Sequence, residues 1–380
     1  MKDIIKKILK YFYKSFMTLL FIKDSQNLSE YDVLIISNGM SMSGAPLVLQ
    51  EVVKYFKNNG YNPIIFYEHS GVLENKSQCR AECCYFFERL IQRIIYKKNF
   101  DYIFINTIAS YKWINFFEKK GINYNLWVHE GREYFDKYQN KLLKNISFGK
   151  VFYVSGISKK CLDNFFILNK TVELIYPFNY NHVITNYEFN EENKKILLVG
   201  SICDRKNQIE LLDAIKNLCL TNEFNHQIEV VFIGTSIEKN YYNNFLTKLN
   251  CFDNVTLIEH MNHDDLMDYY RNVYLCACTS KDDPMPVAVT ESIFNKRLVL
   301  ISSNTGQYQF VKKYGCGFTY QQGNLNELQS VLKEALNLNK KEYMCYVEKA
   351  YDKLSELFTN EKFCSILESE LIKNKKRGNQ

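Results

Sequence analysis

No Cys-x-x-Cys pair occurs among the twelve cysteines of this 380-residue chain. Cys79, Cys83 and Cys84 cluster, but no neighbouring histidine or second cysteine pair completes a zinc set. Others, such as Cys276 and Cys278 in VYLCACTS, sit inside apolar runs, so free buried thiols in a reducing cytoplasm are expected. A G-x-G-x-x-G fingerprint is also missing, and no acid follows the second strand-like run in the right context, which argues against a dinucleotide-dependent dehydrogenase. No apolar run approaches the roughly 20 residues needed to cross a bilayer. The N-terminal apolar run at 16–22 is followed by no small-residue cleavage site, which speaks against a signal peptide. Short-period repeats and low-complexity blocks are absent as well.

What is present describes a globular protein. Apolar residues make up 46% and charged residues 24% of the chain, and its length predicts two domains, each with its own core. A net charge of +6 is too modest to imply a nucleic-acid partner. The first 22 residues, MKDIIKKILKYFYKSFMTLLFI, are the compositional anomaly. Lys2, Lys6, Lys10 and Lys14 recur every four residues, while Ile5, Ile8, Leu9, Phe12, Phe16, Leu19 and Leu20 take another face. This is the pattern of a basic amphipathic helix, and two readings fit it: a helix in the plane of an anionic membrane surface, or one packed on its own domain. The tail KNKKR at 373–377 either joins that basic surface or is a solvated end.

From residue 31 onward, short apolar runs alternate with helical spacing. DVLIISN, NPIIFYE, YIFINT, NYNLWVHEG, VFYVSG and VELIYP read as strands, and LVLQEVVKYFKNNG reads as a helix stopped by Gly60. After the polar stretch NYNHVITNYEFNEENK a second cycle begins, with KKILLVGS, IEVVFIGT, NVTLIEH, VYLCACTS, LVLISS and CGFTY as strands. Such alternation predicts an α/β fold with two Rossmann-like, doubly wound domains facing across a cleft. The expected divisions are an N-terminal segment 1–30, a first domain 31–180, a linker 181–193, a second domain 194–355, and a C-terminal helix with basic tail 356–380.

Ligands of open parallel sheets bind beyond the carboxyl ends of the strands, so the residues following each strand are the candidates. After the first strand comes the small-residue turn GMSMSG, ending at Gly44 and able to let backbone approach a ligand. His129, Glu130 and Arg132 follow WV, and Gly200 closes ILLVG. Arg205 and Lys206 then stand at the start of a helix, a combination suited to clamping a pyrophosphate. In TSKDDPMPVAVTES, Pro286 can open a helix, which places Asp283 in the loop at its mouth and Glu291 one to two turns inside. Two carboxylates at such different depths suit hydroxyl recognition at two points of one ligand better than the metal-binding acid pair that Asp282 and Asp283 otherwise suggest.

GSICDRKNQIELLDAIKNL, VVFIGT and TSKDDPMPVAVTESIFNKRLVLISSNTGQYQFVKKYGCGF together resemble the nucleotide-binding half of GT-B glycosyltransferases of the large retaining family 4, the glycosyl transferases group 1. SNGMSMSGAPLVLQEVVKYFKNNGY and LWVHEG resemble that family's acceptor-side half. The resemblance runs over roughly residues 32–320, and its most specific element is the pair of acids eight apart followed by a helix and a strand. It implies that Glu291 binds the donor's ribose hydroxyls and Asp283 those of the transferred sugar. Arg205 and Lys206 would hold the diphosphate, with Gly200 and Val287 beside it, His129 would face the reacting sugar, and Gly44 would let the first loop approach. The family's site needs no metal, and no cofactor is expected beyond the nucleotide-sugar substrate. Two departures stand out: Asp283 replaces the commoner Glu, shortening its reach by one methylene, and Pro286 replaces a glycine, so backbone donation falls to Val287.

The expected activity is hexosyltransferase-type transfer from a nucleotide-sugar to a glycan or lipid-linked acceptor, in bacterial surface polysaccharide (capsule or lipopolysaccharide) synthesis. The expected location is cytoplasmic, with residues 1–22 as a peripheral membrane contact. Two alternatives are a nucleotide-sugar epimerase or hydrolase of the same fold, and a catalytically silent assembly partner at the membrane.

Overall fold

In the computed structural model, the described residues are 28–40, 44–69, 71, 73, 82–84, 88–168, 170–178, 194–220 and 228–374, with positions 5 and 12. Apart from those two positions, the amphipathic segment 1–22 lies outside the described residues, as do the linker 181–193, Ser41 to Ser43, Cys79, the side chains of Cys83 and Cys84, and the tail beyond 374. No helix among the described residues is long and apolar enough to cross a membrane.

The chain forms two compact units. The first takes the residues up to Val154, Ser158–Tyr176 and the C-terminal residues from Glu361; the second takes Ser155–Ile157 and Pro177–Asn360. Strands of the first unit are β1 (Val33–Gly39), β2 (Pro63–His69), β3 (Glu82–Cys84), β4 (Tyr102–Asn106), β5 (Tyr124–Val128), β6 (Asn145–Ile146), β7 (Gly149–Tyr153), β8 (Ile167–Leu168) and β9 (Thr171–Glu173). Seven of them make one parallel sheet in the order β3-β2-β1-β4-β5-β7-β9, while β6 pairs with β8. β1 and β5 are apolar and buried along nearly their whole length, as strands covered on both faces must be.

The second unit holds β10 (Lys194–Val199), β11 (Ile228–Ile233), β12 (Val255–Ile258), β13 (Leu275–Cys278), β14 (Leu298–Ser302) and β15 (Phe318–Tyr320). They form a parallel sheet in the order β12-β11-β10-β13-β14-β15, the arrangement of a doubly wound nucleotide-binding fold. The order reverses at β10 and β13, so the crevice beyond their carboxyl ends is where ligands of such sheets bind. The corresponding reversal in the first unit lies at β1 and β4. Each unit has its own core: Ile36, Phe66, Ile105, Trp113 and Leu126 in the first; Leu198, Ile215, Phe232, Leu300 and Leu332 in the second. Full burial of each such side chain stabilises its unit by about 1.5–3 kcal/mol. Each unit is a Rossmann-like, doubly wound α/β domain, as the strand–helix alternation predicts.

The first helix ends at Asn58, and Gly60 then takes φ 80°, a conformation glycine adopts without strain. At the other terminus, the helix Asn360–Glu370 returns to the first unit. Its Phe363 packs on Trp127 with ring centroids 5.9 Å apart, Glu370 meets Lys150 and Lys170, and Asn125 exchanges hydrogen bonds with the backbone of Ile372. Lys373, first of the basic tail, lies 3.3 Å from Asp101. Among the described residues, Cys161, Cys203, Cys276, Cys278 and Cys316 are buried free thiols, and burial pushes Cys276 up to about 12.

Candidate active site

In the second unit, the residues following β10 and β13 are laced together. The turn after β10 runs through Arg205 and Lys206 to Asn207, whose φ of 53° is one an asparagine tolerates, and then enters the helix Gln208–Leu220. Thr279, just past β13, donates from its hydroxyl to the carbonyl of Asn207 (2.8 Å) and lies 3.3 Å from that of Lys206. The Lys281 N–H donates to the Arg205 carbonyl (2.8 Å), and Arg205 Nη1 donates to the Asp282 carbonyl (2.8 Å). Asp282 therefore contributes backbone to the site.

Asp283 is the centre of this arrangement. Only 7% exposed, it forms an ion pair with Lys206 Nζ and lies 3.6 Å from Arg205 Nη1. Burial pushes its carboxyl up, but Lys206 and Arg205 outweigh that and hold it below the usual aspartate range. Its position is fixed from behind by the loop after β14: the Asp283 N–H donates to Asn304 O, and the Gly306 N–H donates to Asp283 O (2.9 Å). A Cβ at Gly306 would stand 1.6 Å from the Pro284 carbonyl oxygen, so only glycine fits there. Gly200, at φ 152°, plays a similar part on the other side, where a Cβ would press on the Lys206 side chain at 3.2 Å.

Pro286 is the residue before the helix rather than its first turn, and the helix runs Val287–Phe294. The N–H groups of Val287 and Ala288 precede any intrahelical acceptor, which leaves this helix end able to receive an anion. Glu291, 4% exposed, is held at both oxygens: His263 Nε2 lies 3.0 Å from Oε1 and the Tyr270 hydroxyl 3.3 Å from Oε2. His263 opens the helix His263–Tyr269 beyond β12, capped by Asn262. In the sequence His263 is legible only as the residue before two acids that suit a helix's first turn.

The remaining candidates belong to the first unit. Gly44 is exposed at the start of the helix Gly44–Asn58. His129 and Glu130 follow β5 and meet Asn106 and Thr107 from the end of β4. His129 Nε2 lies 2.9 Å from Asn106 Oδ1, and Asn106 Nδ2 donates to the Ala45 carbonyl (3.1 Å). Glu130 is buried; its Oε1 accepts from the Thr107 hydroxyl and its Oε2 from the His129 N–H (3.0 Å). Thr107 stands at φ 96°, a genuine outlier for a β-branched residue, and its hydroxyl also accepts from the Ala109 N–H. Burial holds His129 down to about 3 and Glu130 up to about 7, the latter opposed by its hydrogen bonds. Asn106 and Thr107 were legible only as polar residues ending an apolar strand.

Residues 182–353 match the family model described as glycosyl transferases group 1. Among solved structures, the chain is similar to HepE of Anabaena in complex with UDP and glucose, at 14% identity and a TM-score of 0.73, over 89% of this chain and 98% of that one. It is also similar to WaaG, a glycosyltransferase involved in lipopolysaccharide biosynthesis, at 12% identity and a TM-score of 0.66, over 88% and 99% of the two chains. Sucrose-phosphate synthase from Thermosynechococcus elongatus gives 14% identity and a TM-score of 0.72, over 89% and 98%. No curated protein matches the chain significantly in sequence.

Proposed function

We propose that this GT-B glycosyltransferase moves a hexose-type sugar from a nucleotide-sugar donor, bound beyond β10 and β13, to a glycan or lipid-linked acceptor, with retention of anomeric configuration and without a metal. The observation that carries the reading is the meeting of Arg205, Lys206 and Asp283 at the point where the strand order reverses, with Glu291 on the helix that follows. In this assignment the two cations and the free N–H groups of Val287 and Ala288 hold the diphosphate. Glu291 accepts from the ribose hydroxyls and Asp283 from those of the sugar, with Gly200 giving the Lys206 side chain its room. In the first unit, His129 and Gly44 keep the roles that the family resemblance implies, each beyond the carboxyl end of a strand.

The sugar–phosphate bond breaks as the bond to the acceptor oxygen forms, and the acceptor's proton goes to the departing diphosphate or to water. Arg205 and Lys206 stabilise the negative charge that grows on the leaving group, so a metal has no task they leave undone. HepE's complex with UDP and glucose makes UDP-sugars the first donors to test. WaaG's part in lipopolysaccharide biosynthesis supports a surface-polysaccharide role, carried out in the cytoplasm and, through residues 1–22, at the membrane's inner face. A hydrolase or epimerase would need a free acid–base carboxyl. Glu130 has the proton affinity, but it is buried and turned to Thr107 and to the His129 backbone N–H.

The test is a screen of nucleotide-sugars for nucleoside diphosphate release, with and without membrane extract and with a chelator. Release that needs the extract and survives the chelator supports the reading. Release that is equally fast without any acceptor supports a hydrolase instead.

A further inference from the structure

We infer that Asn106 is a positioning residue that fixes His129 as the Nε2–H tautomer and leaves Nδ1 as a hydrogen-bond acceptor; the inference stands on the first unit alone.

The argument is one of donor and acceptor accounting. Asn106 lies fully buried at the end of β4. One end of its amide is 3.1 Å from the Ala45 carbonyl oxygen, which can only accept, so that end must be the NH2 group. The other end is then Oδ1, which also can only accept, and it lies 2.9 Å from His129 Nε2. Nε2 must therefore carry a hydrogen. A neutral imidazole has one such hydrogen, which leaves a lone pair on Nδ1. Among the described residues Nδ1 of His129 has no hydrogen-bond partner.

The surroundings keep the ring neutral and still. Its face lies against Trp127, with centroids 4.3 Å apart, and Trp127 is itself tied by its Nε1–H to the Leu174 carbonyl (3.0 Å). The neighbouring Glu130 carboxylate is turned to the His129 backbone N–H and to Thr107. Burial further depresses the imidazole's basicity. Thr107, next in the chain after Asn106, stands at φ 96° with its hydroxyl on Glu130.

The direct test is a long-range 1H–15N correlation spectrum of histidine-15N-labelled protein at pH 7, with His129→Gln to assign the signal. A protonated, pyrrole-type Nε2 and a pyridine-type Nδ1 are expected. Asn106→Leu should abolish this preference. Protonated Nδ1 in the parent, or an unchanged tautomer in a folded Asn106→Leu variant, overturns the inference.

Discussion

Replacing Asp283 by Asn tests the electrostatics of the site in three ways at once. The change keeps the shape but removes the counter-charge of Lys206 and Arg205, leaving two adjacent cations facing each other. Removing one partner of a buried ion pair costs about 3–5 kcal/mol. These side chains are 10% (Asp283), 14% (Lys206) and 24% (Arg205) exposed, so solvent screening brings the expected loss down to about 2–3 kcal/mol. For a unit of this size that corresponds to a melting point lowered by roughly 4–12 °C. The pH dependence follows from the depressed acidity of Asp283: its carboxylate stabilises the folded state above the unfolded aspartate value of about 3.9, and that contribution is lost as the pH falls through the lower folded value. Parent and variant melting points should therefore differ from neutral pH down to about 4 and converge below it. Nucleoside diphosphate should bind the variant at least as tightly as the parent, because its phosphates no longer compete with the carboxylate for Lys206, and saturating ligand should recover more of the melting point in the variant. Equal melting points at pH 7, or a tenfold weaker diphosphate, would refute this account of Asp283.

Other consequences are open to simpler assays. Glu291→Ala should reduce turnover by a hundredfold or more with ribonucleotide donors, and much less with donors lacking the ribose hydroxyls; an equal loss with both would remove Glu291 from the ribose. His263→Ala should raise KM for the donor several-fold with little change in kcat, since His263 only orients a carboxylate that Tyr270 also holds. Deleting residues 1–22 should shift the protein out of the membrane fraction while sparing transfer to a soluble acceptor. Unchanged fractionation would count against a membrane role for the segment.

Much of this was legible in the sequence, and the rest was not, for identifiable reasons. Strands such as VLIISNG, KKILLV and LVLIS announce themselves because a parallel strand buried on both faces must be a continuous apolar run. The candidates at strand ends followed from that, and Arg205 and Lys206 prove to be in contact with Asp283, 77 positions beyond Lys206. Partnerships made by side chains were hidden. Nothing local in HDDL says that His263 will meet Glu291, and nothing in INT says that Thr107 will take a left-handed φ braced by Glu130. The helix Asn360–Glu370 was legible as a helix, but its attachment to Trp127, Asn125 and Lys150 depends on residues some two hundred positions away. Helix entry at Val287 rather than Pro286 is a one-residue difference of the kind that proline, tolerated on both sides of a helix start, leaves open.

The central claim is that the second unit's crevice binds a sugar nucleotide through Arg205 and Lys206. Calorimetric titration of UDP and of other nucleoside diphosphates into the parent protein and Lys206→Ala addresses it most directly. The account predicts saturable binding of at least one nucleoside diphosphate to the parent, weakened at least about tenfold in a folded Lys206→Ala variant, as expected for loss of a charge-assisted contact. Binding of equal strength in both proteins, or none of any nucleoside diphosphate to the parent, would contradict it.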